Sequence, residues 1–120
     1  GRMLPKITKN YIYEIKKFID EYPDRNIYIF ANYSYMTKLE LNIPINKFDL
    51  INNGNMGSKG AKGYIEEINK DCTKNKCLFI INDSELSRED YTQTNKEILK
   101  YAISTTTKIY STSVFGVYIN

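Results

Sequence analysis

Two short runs of apolar, β-favouring residues constrain the fold of this chain more than any other feature of its sequence. They are NIYIFA, residues 26–31, and KCLFIIND, residues 76–83. Both runs are apolar at nearly every position instead of every second one, which is typical of strands covered on both faces. Parallel strands joined through helices are buried in this way, so the two runs predict a βαβ arrangement.

Helical periodicity fills the segments around the predicted strands. Apolar side chains recur at helical spacing over residues 7–22, and Pro23 ends that pattern. Shorter helices are predicted at 33–42, 63–72 and 95–105.

The C-terminal segment predicts two further strands, residues 108–111 and 114–119, which form a hairpin at the sheet edge. Gly116 in the second of them indicates a bulge or a close approach of neighbouring atoms. The predicted fold class is therefore α/β: a small three-layer sandwich with a mostly parallel sheet and an antiparallel C-terminal edge hairpin.

The length of 120 residues is enough for one hydrophobic core, so we expect residues 1–120 to form a single domain. Gly1 and Arg2 precede Met3, and we interpret them as remnants attached to a piece of a longer protein. The net charge of +3 is mild and is a weak argument for nucleic acid as a partner.

The chain has no histidine, which excludes His-based catalytic triads and imidazole metal ligands. Its two cysteines, Cys72 and Cys77, are too few for a zinc site, so we predict neither a metal nor a cofactor. Their spacing leaves two alternatives open: two free thiols, or one disulfide that closes a short turn.

Ligands of open parallel sheets bind outside the carboxyl ends of the strands. The predicted ligand-binding residues either follow the two buried strands or belong to the glycine-rich stretch between them: Asn32, Tyr33, Tyr35, Asn53, Lys59, Lys62, Asn82 and Asp83. Asp83 and Glu85 form a pair of carboxylates, but a chain turn explains them more simply than acid–base chemistry does. We therefore predict no catalytic residue.

The glycine-rich stretch NNGNMGSKGAKG, residues 52–63, does not match the common phosphate-binding motifs. It lacks the Gly-Lys-Ser/Thr of a P-loop, and its glycines are spaced by three throughout. GSKG matches the GXXG loop of KH domains, but the apolar residues that follow fall at Ile65 and Ile68 instead of at Gly63 and Glu66. We interpret the stretch as a mobile loop that presents Lys59 and Lys62 and leads into a helix at Tyr64.

Three segments together resemble a known family. They are NIYIFANYSYMTKLELNIPINKFDLINNGNMG, the strand ending in IND, and the terminal FGVYIN. They resemble the C-terminal soluble domain of polytopic bacterial GT-C-like membrane glycosyltransferases. In such proteins a last membrane helix leads into a small α/β domain outside the cell, and the catalytic acid lies in the membrane portion.

The resemblance implies a non-catalytic extracytoplasmic accessory domain of a membrane-bound, glycosyltransferase-like protein in the cell membrane. It would assist recognition of a saccharide or lipid-phosphate substrate, with the membrane-embedded remainder of the parent chain and a lipid-linked sugar as partners. The residues alone leave an alternative open, a free-standing cytoplasmic domain that binds nucleotide or RNA through the Gly/Lys loop as an anion site. A small enzyme using Asp83 or Asp49 is the third hypothesis, but no activated nucleophile or base accompanies either carboxylate.

Overall fold

The computed structural model describes residues 6–30, 34–45, 60–82 and 93–120, without the side chains of 6–9 and 34–36. The described helices are α1 Lys6–Glu21, α2 Ser34–Glu40, α3 Gly60–Lys74 and α4 Gln93–Ser104. The described strands are β1 Arg25–Phe30, β2 Lys76–Ile81, β3 Thr107–Ser111 and β4 Gly116–Ile119. They form one sheet in the order β1-β2-β4-β3.

The sheet is mixed, as the sequence predicts. β1 and β2 pair in parallel in a register that sets Arg25 opposite Lys76. β4 is antiparallel to β2 on one side and to β3 on the other, so the C-terminal hairpin supplies the far edge of the sheet. The predicted α/β fold with a parallel strand pair and an antiparallel edge hairpin is confirmed.

Helices cover both faces of the sheet and make three layers. The period of two along each strand sends alternate side chains to opposite faces. One face packs against α1 and includes Ile27, Ile29, Leu78, Ile80 and Val117. The other packs against α3 and α4 and includes Tyr28, Phe30, Cys77, Phe79, Ile81 and Tyr118. The apolar runs are therefore continuous because both sets of side chains are buried.

Stacked aromatic rings connect β1 to β2 on the face covered by α3 and α4. The ring of Phe79 lies 5.1 Å from that of Tyr28 and 6.0 Å from that of Phe30, with nearly parallel planes in both pairs. Such cross-strand pairs add to the free energy of burial. They fix the position of β1, which carries the polar residues of the site described below.

A buried lysine lies against the outer edge of β1. Lys38 of α2 is fully buried, and its Nζ donates a hydrogen bond of 2.6 Å to the carbonyl oxygen of Ile27. A strand at the edge of a sheet has main-chain groups that its single neighbour cannot pair. Lys38 supplies a donor to one of them and attaches α2 to the sheet.

The close approach predicted at Gly116 is confirmed. A Cβ atom at this position would lie 2.9 Å from a ring carbon of Tyr118 and 2.9 Å from Cε of Lys108. The pairing of β3 with β4 also shifts between Lys108 and Tyr110. Glycine is therefore needed here for space.

The predicted start of the third helix is wrong by three residues. α3 begins at Gly60, which has a φ of +69° that glycine adopts without strain, and not at Gly63. Lys62 consequently lies in the first turn of a helix and not in a loop, whereas residues 52–59 of the glycine-rich stretch lie outside the described residues. No helix in the described part of the chain is both long and apolar enough to cross a bilayer.

Candidate functional site

Two of the predicted ligand-binding residues have described side chains, and both lie toward the carboxyl end of β2. Asn82 directly follows β2, and its main-chain N–H donates to the carbonyl oxygen of Phe30 at 3.2 Å. Lys62 is exposed in the first turn of α3. Since α3 ends at Lys74 and β2 begins at Lys76, α3 runs back along β2, and its first turn lies toward this edge.

For the other predicted ligand-binding residues the structure describes no side-chain position. Tyr35 belongs to α2, but its side chain is not described. The rest lie outside the described residues: Asn32, Tyr33, Asn53, Lys59 and Asp83. The predicted carboxyl-edge site thus stays a prediction.

A disulfide lies at the opposite edge of the sheet, where β1 and β2 begin. Cys72 in the last turn of α3 is bonded to Cys77 in β2, with the two Cα atoms 5.5 Å apart. Of the two alternatives that the sequence left open, the structure contains the disulfide. It closes the turn between α3 and β2 and so fixes the end of the helix to the start of a central strand.

The side chain of Asn120 bridges the two halves of this disulfide. Its Nδ2 donates to the carbonyl oxygen of Cys72 at 2.7 Å, and its Oδ1 accepts from the N–H of Cys77 at 2.7 Å. Arg25 completes the arrangement, since its Nη1 donates to the carbonyl oxygens of Cys77 at 2.9 Å and Asn120 at 3.2 Å. The first residue of β1 is thereby held to the second residue of β2.

Next to Cys72, the carboxylate of Asp71 accepts three hydrogen bonds. Its Oδ1 receives Nδ2 of Asn26 at 2.7 Å and Nδ2 of Asn75 at 3.1 Å. Its Oδ2 receives the hydroxyl of Tyr28. All three donors are uncharged, so they orient the carboxylate and leave its negative charge unneutralised.

These groups line a cavity of about 260 Å³, which we call the amino-edge pocket. Its polar wall consists of Arg25, Asn26, Tyr28 and Asp71, and its apolar wall of Ile27 and residues 43–45. Binding pockets for small molecules typically measure roughly 300–1,000 Å³. The amino-edge pocket lies just below this range, which limits a ligand there to about one ring.

A second cavity, of about 210 Å³, lies on the other side of the disulfide, and none of its lining residues is charged. Its hydroxyl groups are used within the chain: Thr105 Oγ1 donates to the carbonyl oxygen of Tyr101, and Thr106 Oγ1 to that of Ala102. Desolvation raises the pKa of Tyr101, which also lines this cavity. The amino-edge pocket is the better candidate because charged residues line it, whereas none lines the second cavity.

The groups that line the amino-edge pocket are suited to binding a ligand. One oxygen of Asp71 and the sulfur atoms of Cys72 and Cys77 lie within 4.8 Å of one another, a grouping that thiolates would make suitable for a metal ion. The two sulfur atoms are bonded to each other, however, and only a thiolate is a strong metal ligand. We therefore assign no metal to this grouping.

Arg25, Asn26, Asp71 and Asn120 were not among the residues predicted from the sequence. Two features of the sequence mark three of them: Arg25 and Asn26 are a polar pair at the start of an apolar strand, and Asp71 is a carboxylate directly before Cys72. The rule that ligands bind at the carboxyl ends of parallel strands predicts a site at the opposite edge of the sheet.

The chain matches no protein-family model, and comparisons with curated proteins and with solved structures found no significant match.

Proposed function

We propose that this chain is a non-catalytic extracytoplasmic accessory domain of a membrane-bound, glycosyltransferase-like protein and assists recognition of a saccharide or lipid-phosphate substrate. The observation that carries this proposal is the disulfide between Cys72 and Cys77. Disulfides persist in oxidising compartments and are rare in the reducing cytosol. For a bacterial protein, this favours a location outside the cytoplasm.

The amino-edge pocket supports a role in ligand recognition. Sugar hydroxyls donate and accept hydrogen bonds, and the pocket offers acceptor positions on Asp71 and an amide donor on Asn26. The apolar wall at residues 43–45 suits the C–H face of a sugar ring. A volume of about 260 Å³ limits the bound group to about one such ring.

The groups that line the pocket support a non-catalytic role. Among the lining residues, Asp71 is the one carboxylate, and its three donors are neutral amide and hydroxyl groups. General acid–base catalysis needs a second titratable group, and covalent catalysis needs a nucleophile with an adjacent base. Among the described lining residues, the titratable partner of Asp71 is the Tyr28 hydroxyl, whose proton is donated to Asp71 itself, and none is a nucleophile with an adjacent base. We therefore expect hydrolysis or transfer to occur elsewhere in the parent protein.

One observation favours the alternative of a cytoplasmic nucleotide- or RNA-binding domain. Lys62 is exposed in the first turn of α3, where the helix dipole attracts anions. The disulfide favours the first proposal, because a cytoplasmic protein would ordinarily keep both thiols reduced.

Chemical-shift mapping of the labelled domain tests the proposal and its alternative in one experiment. A panel of neutral monosaccharides and sugar phosphates is expected to move the amide resonances of Asn26, Tyr28 and Asp71. Shifts confined to Lys62 and Asn82, together with binding of a short RNA that weakens steeply with salt, would instead support the alternative. If no sugar moves the amino-edge resonances, saccharide recognition at this pocket is wrong.

A further inference from the structure

We infer that Asp71, Cys72 and Cys77 bind a thiophilic divalent cation of the zinc type once the disulfide is reduced. The inference goes beyond the proposed function and does not depend on what the amino-edge pocket binds. In the oxidised protein the two sulfur atoms are bonded to each other. The disulfide and the metal site are therefore alternative states of one group of side chains.

The three ligand groups lie together in the fold. One carboxylate oxygen of Asp71 and the sulfur atoms of Cys72 and Cys77 lie within 4.8 Å of one another. Four residues separate the cysteines in CTKNKC, within the range of about two to four that zinc-binding cysteines typically have. Once the S–S bond opens, the sulfur atoms can move apart to positions about 2.3 Å from a shared ion. The carboxylate supplies a third ligand, which a count of cysteines and histidines leaves out.

Neutral donors orient the carboxylate of Asp71 without neutralising it. Asn26 and Asn75 donate to Oδ1, and Tyr28 donates to Oδ2. A carboxylate offers about four acceptor positions, so these hydrogen bonds leave one for a metal ion. No lysine or arginine in the described ranges forms an ion pair with Asp71. Metal-binding carboxylates are ordinarily oriented by outer hydrogen bonds of this kind.

Asn120 holds the main chain of both cysteines without using their sulfur atoms. Its Nδ2 donates to the carbonyl oxygen of Cys72 at 2.7 Å, and its Oδ1 accepts from the N–H of Cys77 at 2.7 Å. We expect these hydrogen bonds to keep the cysteines close to each other after reduction. A site that is organised in advance binds its ion at a lower cost in ordering.

The two cavities on either side of the disulfide give an ion access to the site. Asp71 lines the amino-edge pocket, and Cys72 lines the second cavity. Both residues are half-buried, whereas Cys77 is fully buried. An ion therefore reaches the group through Asp71 and Cys72. Three protein ligands leave a tetrahedral ion one open position, which a water molecule from either cavity can occupy.

Reduction and metal binding are separate steps. A trialkylphosphine gives two electrons to the disulfide and becomes a phosphine oxide with oxygen from water, which leaves two thiols. Each thiol loses its proton as the ion binds, because the thiolate is the ligand. A disulfide oxidant removes the same two electrons, forms the S–S bond again and expels the ion. Soft thiolate ligands favour zinc over magnesium and calcium.

Titration of the phosphine-reduced domain with Co²⁺ tests the inference, because thiolate-to-cobalt charge-transfer bands report sulfur ligation. Zn²⁺ should then displace the cobalt and remove the bands, whereas Mg²⁺ should not. We expect one metal ion per chain. The affinity of the reduced protein for Zn²⁺ should exceed that of the oxidised protein at least about a hundredfold.

Variants assign the three ligands. The double change Cys72→Ser and Cys77→Ser is expected to abolish the charge-transfer bands. Asp71→Asn keeps the shape without the charge and is expected to weaken Zn²⁺ binding at least about tenfold. Glu66→Gln changes an exposed carboxylate of the same helix, so it is the matched control and should bind like the wild type.

Reduced protein without charge-transfer bands would overturn the inference, as would equal Zn²⁺ affinities of the reduced and oxidised proteins. One ion for two chains would place the site between copies and contradict it. Wild-type affinity in a folded Asp71→Asn protein would show that the carboxylate is not a ligand. If reduction unfolds the domain, Zn²⁺ is expected to restore the folded signal, and failure to do so would also overturn the inference.

Discussion

Tyr11 has a polar atom in an apolar environment. Its ring packs edge-on against Phe115 with 5.2 Å between centroids, and its side chain is buried between α1 and the sheet. The hydroxyl has no hydrogen-bond partner among the residues that the structure describes. Desolvation also raises the pKa of this phenol above its ordinary value. An unsatisfied buried hydroxyl of this kind costs about 1–3 kcal/mol.

We predict that Tyr11→Phe increases the free energy of unfolding by about 1 kcal/mol at pH 7, because it removes the unsatisfied hydroxyl. The pKa of Tyr11 is higher in the folded than in the unfolded state. Ionisation of the phenol therefore leaves the free energy of unfolding unchanged below pH 10 and lowers it as the pH rises further. Between pH 10 and 11 the wild type should lose up to about 1.4 kcal/mol more than the variant.

Urea denaturation at pH 7, 10 and 11 measures both effects. Tyr13→Phe is the matched control, since Tyr13 lies on the same helix and its side chain is 71% exposed. Parallel pH dependences of wild type and Tyr11→Phe would show that burial does not raise the pKa of this phenol and would contradict the prediction.

Gly116 is a second position where one residue decides stability. Gly116→Ala places a methyl group against the buried ring of Tyr118, which has no room to move within the core. We predict that the variant lowers the free energy of unfolding by about 1–3 kcal/mol. Thermal or chemical unfolding measures this, with Ser113→Ala in the exposed turn of the same hairpin as the control. An unchanged stability would mean that β4 shifts freely.

At the scale of elements, the disulfide determines how α3 meets β2. It closes a short loop, since its two cysteines are separated by only five positions in the chain. Chain-entropy arguments give about 2 kcal/mol for a loop of this size. We predict that reduction, or the double change Cys72→Ala and Cys77→Ala, lowers the free energy of unfolding by that amount. The reductant should leave the double variant unaffected, and an equal effect on both proteins would contradict the prediction.

At the scale of the whole molecule, the local pattern of apolar residues predicted the three layers of the fold but not the location of the amino-edge pocket. The runs around Ile29 and Ile80 are buried on both faces, and their continuous apolar character predicted a sheet between helices. The helix start at Gly60 was missed because glycine is a weak helix former whose tolerance of positive φ suits a helix boundary.

The amino-edge pocket could not be predicted in the same way because its contacts join distant parts of the chain. Asn26 and Asp71 are 45 residues apart, and Arg25 and Asn120 are 95 apart. The register of β1 on β2, the pairing of β4 with β2 and the direction of α3 bring them together. The cysteine pairing likewise depends on geometry, which the spacing of Cys72 and Cys77 permitted but did not determine.

The state of Cys72 and Cys77 in living cells tests the proposed extracytoplasmic role most directly. Intact cells that express the full-length protein are treated with a membrane-impermeant thiol reagent, before and after reduction by an impermeant reductant. Our account predicts that both cysteines resist modification at first and are both labelled after reduction. Labelling only by a permeant reagent, without prior reduction, would show two free thiols inside the cell and contradict it.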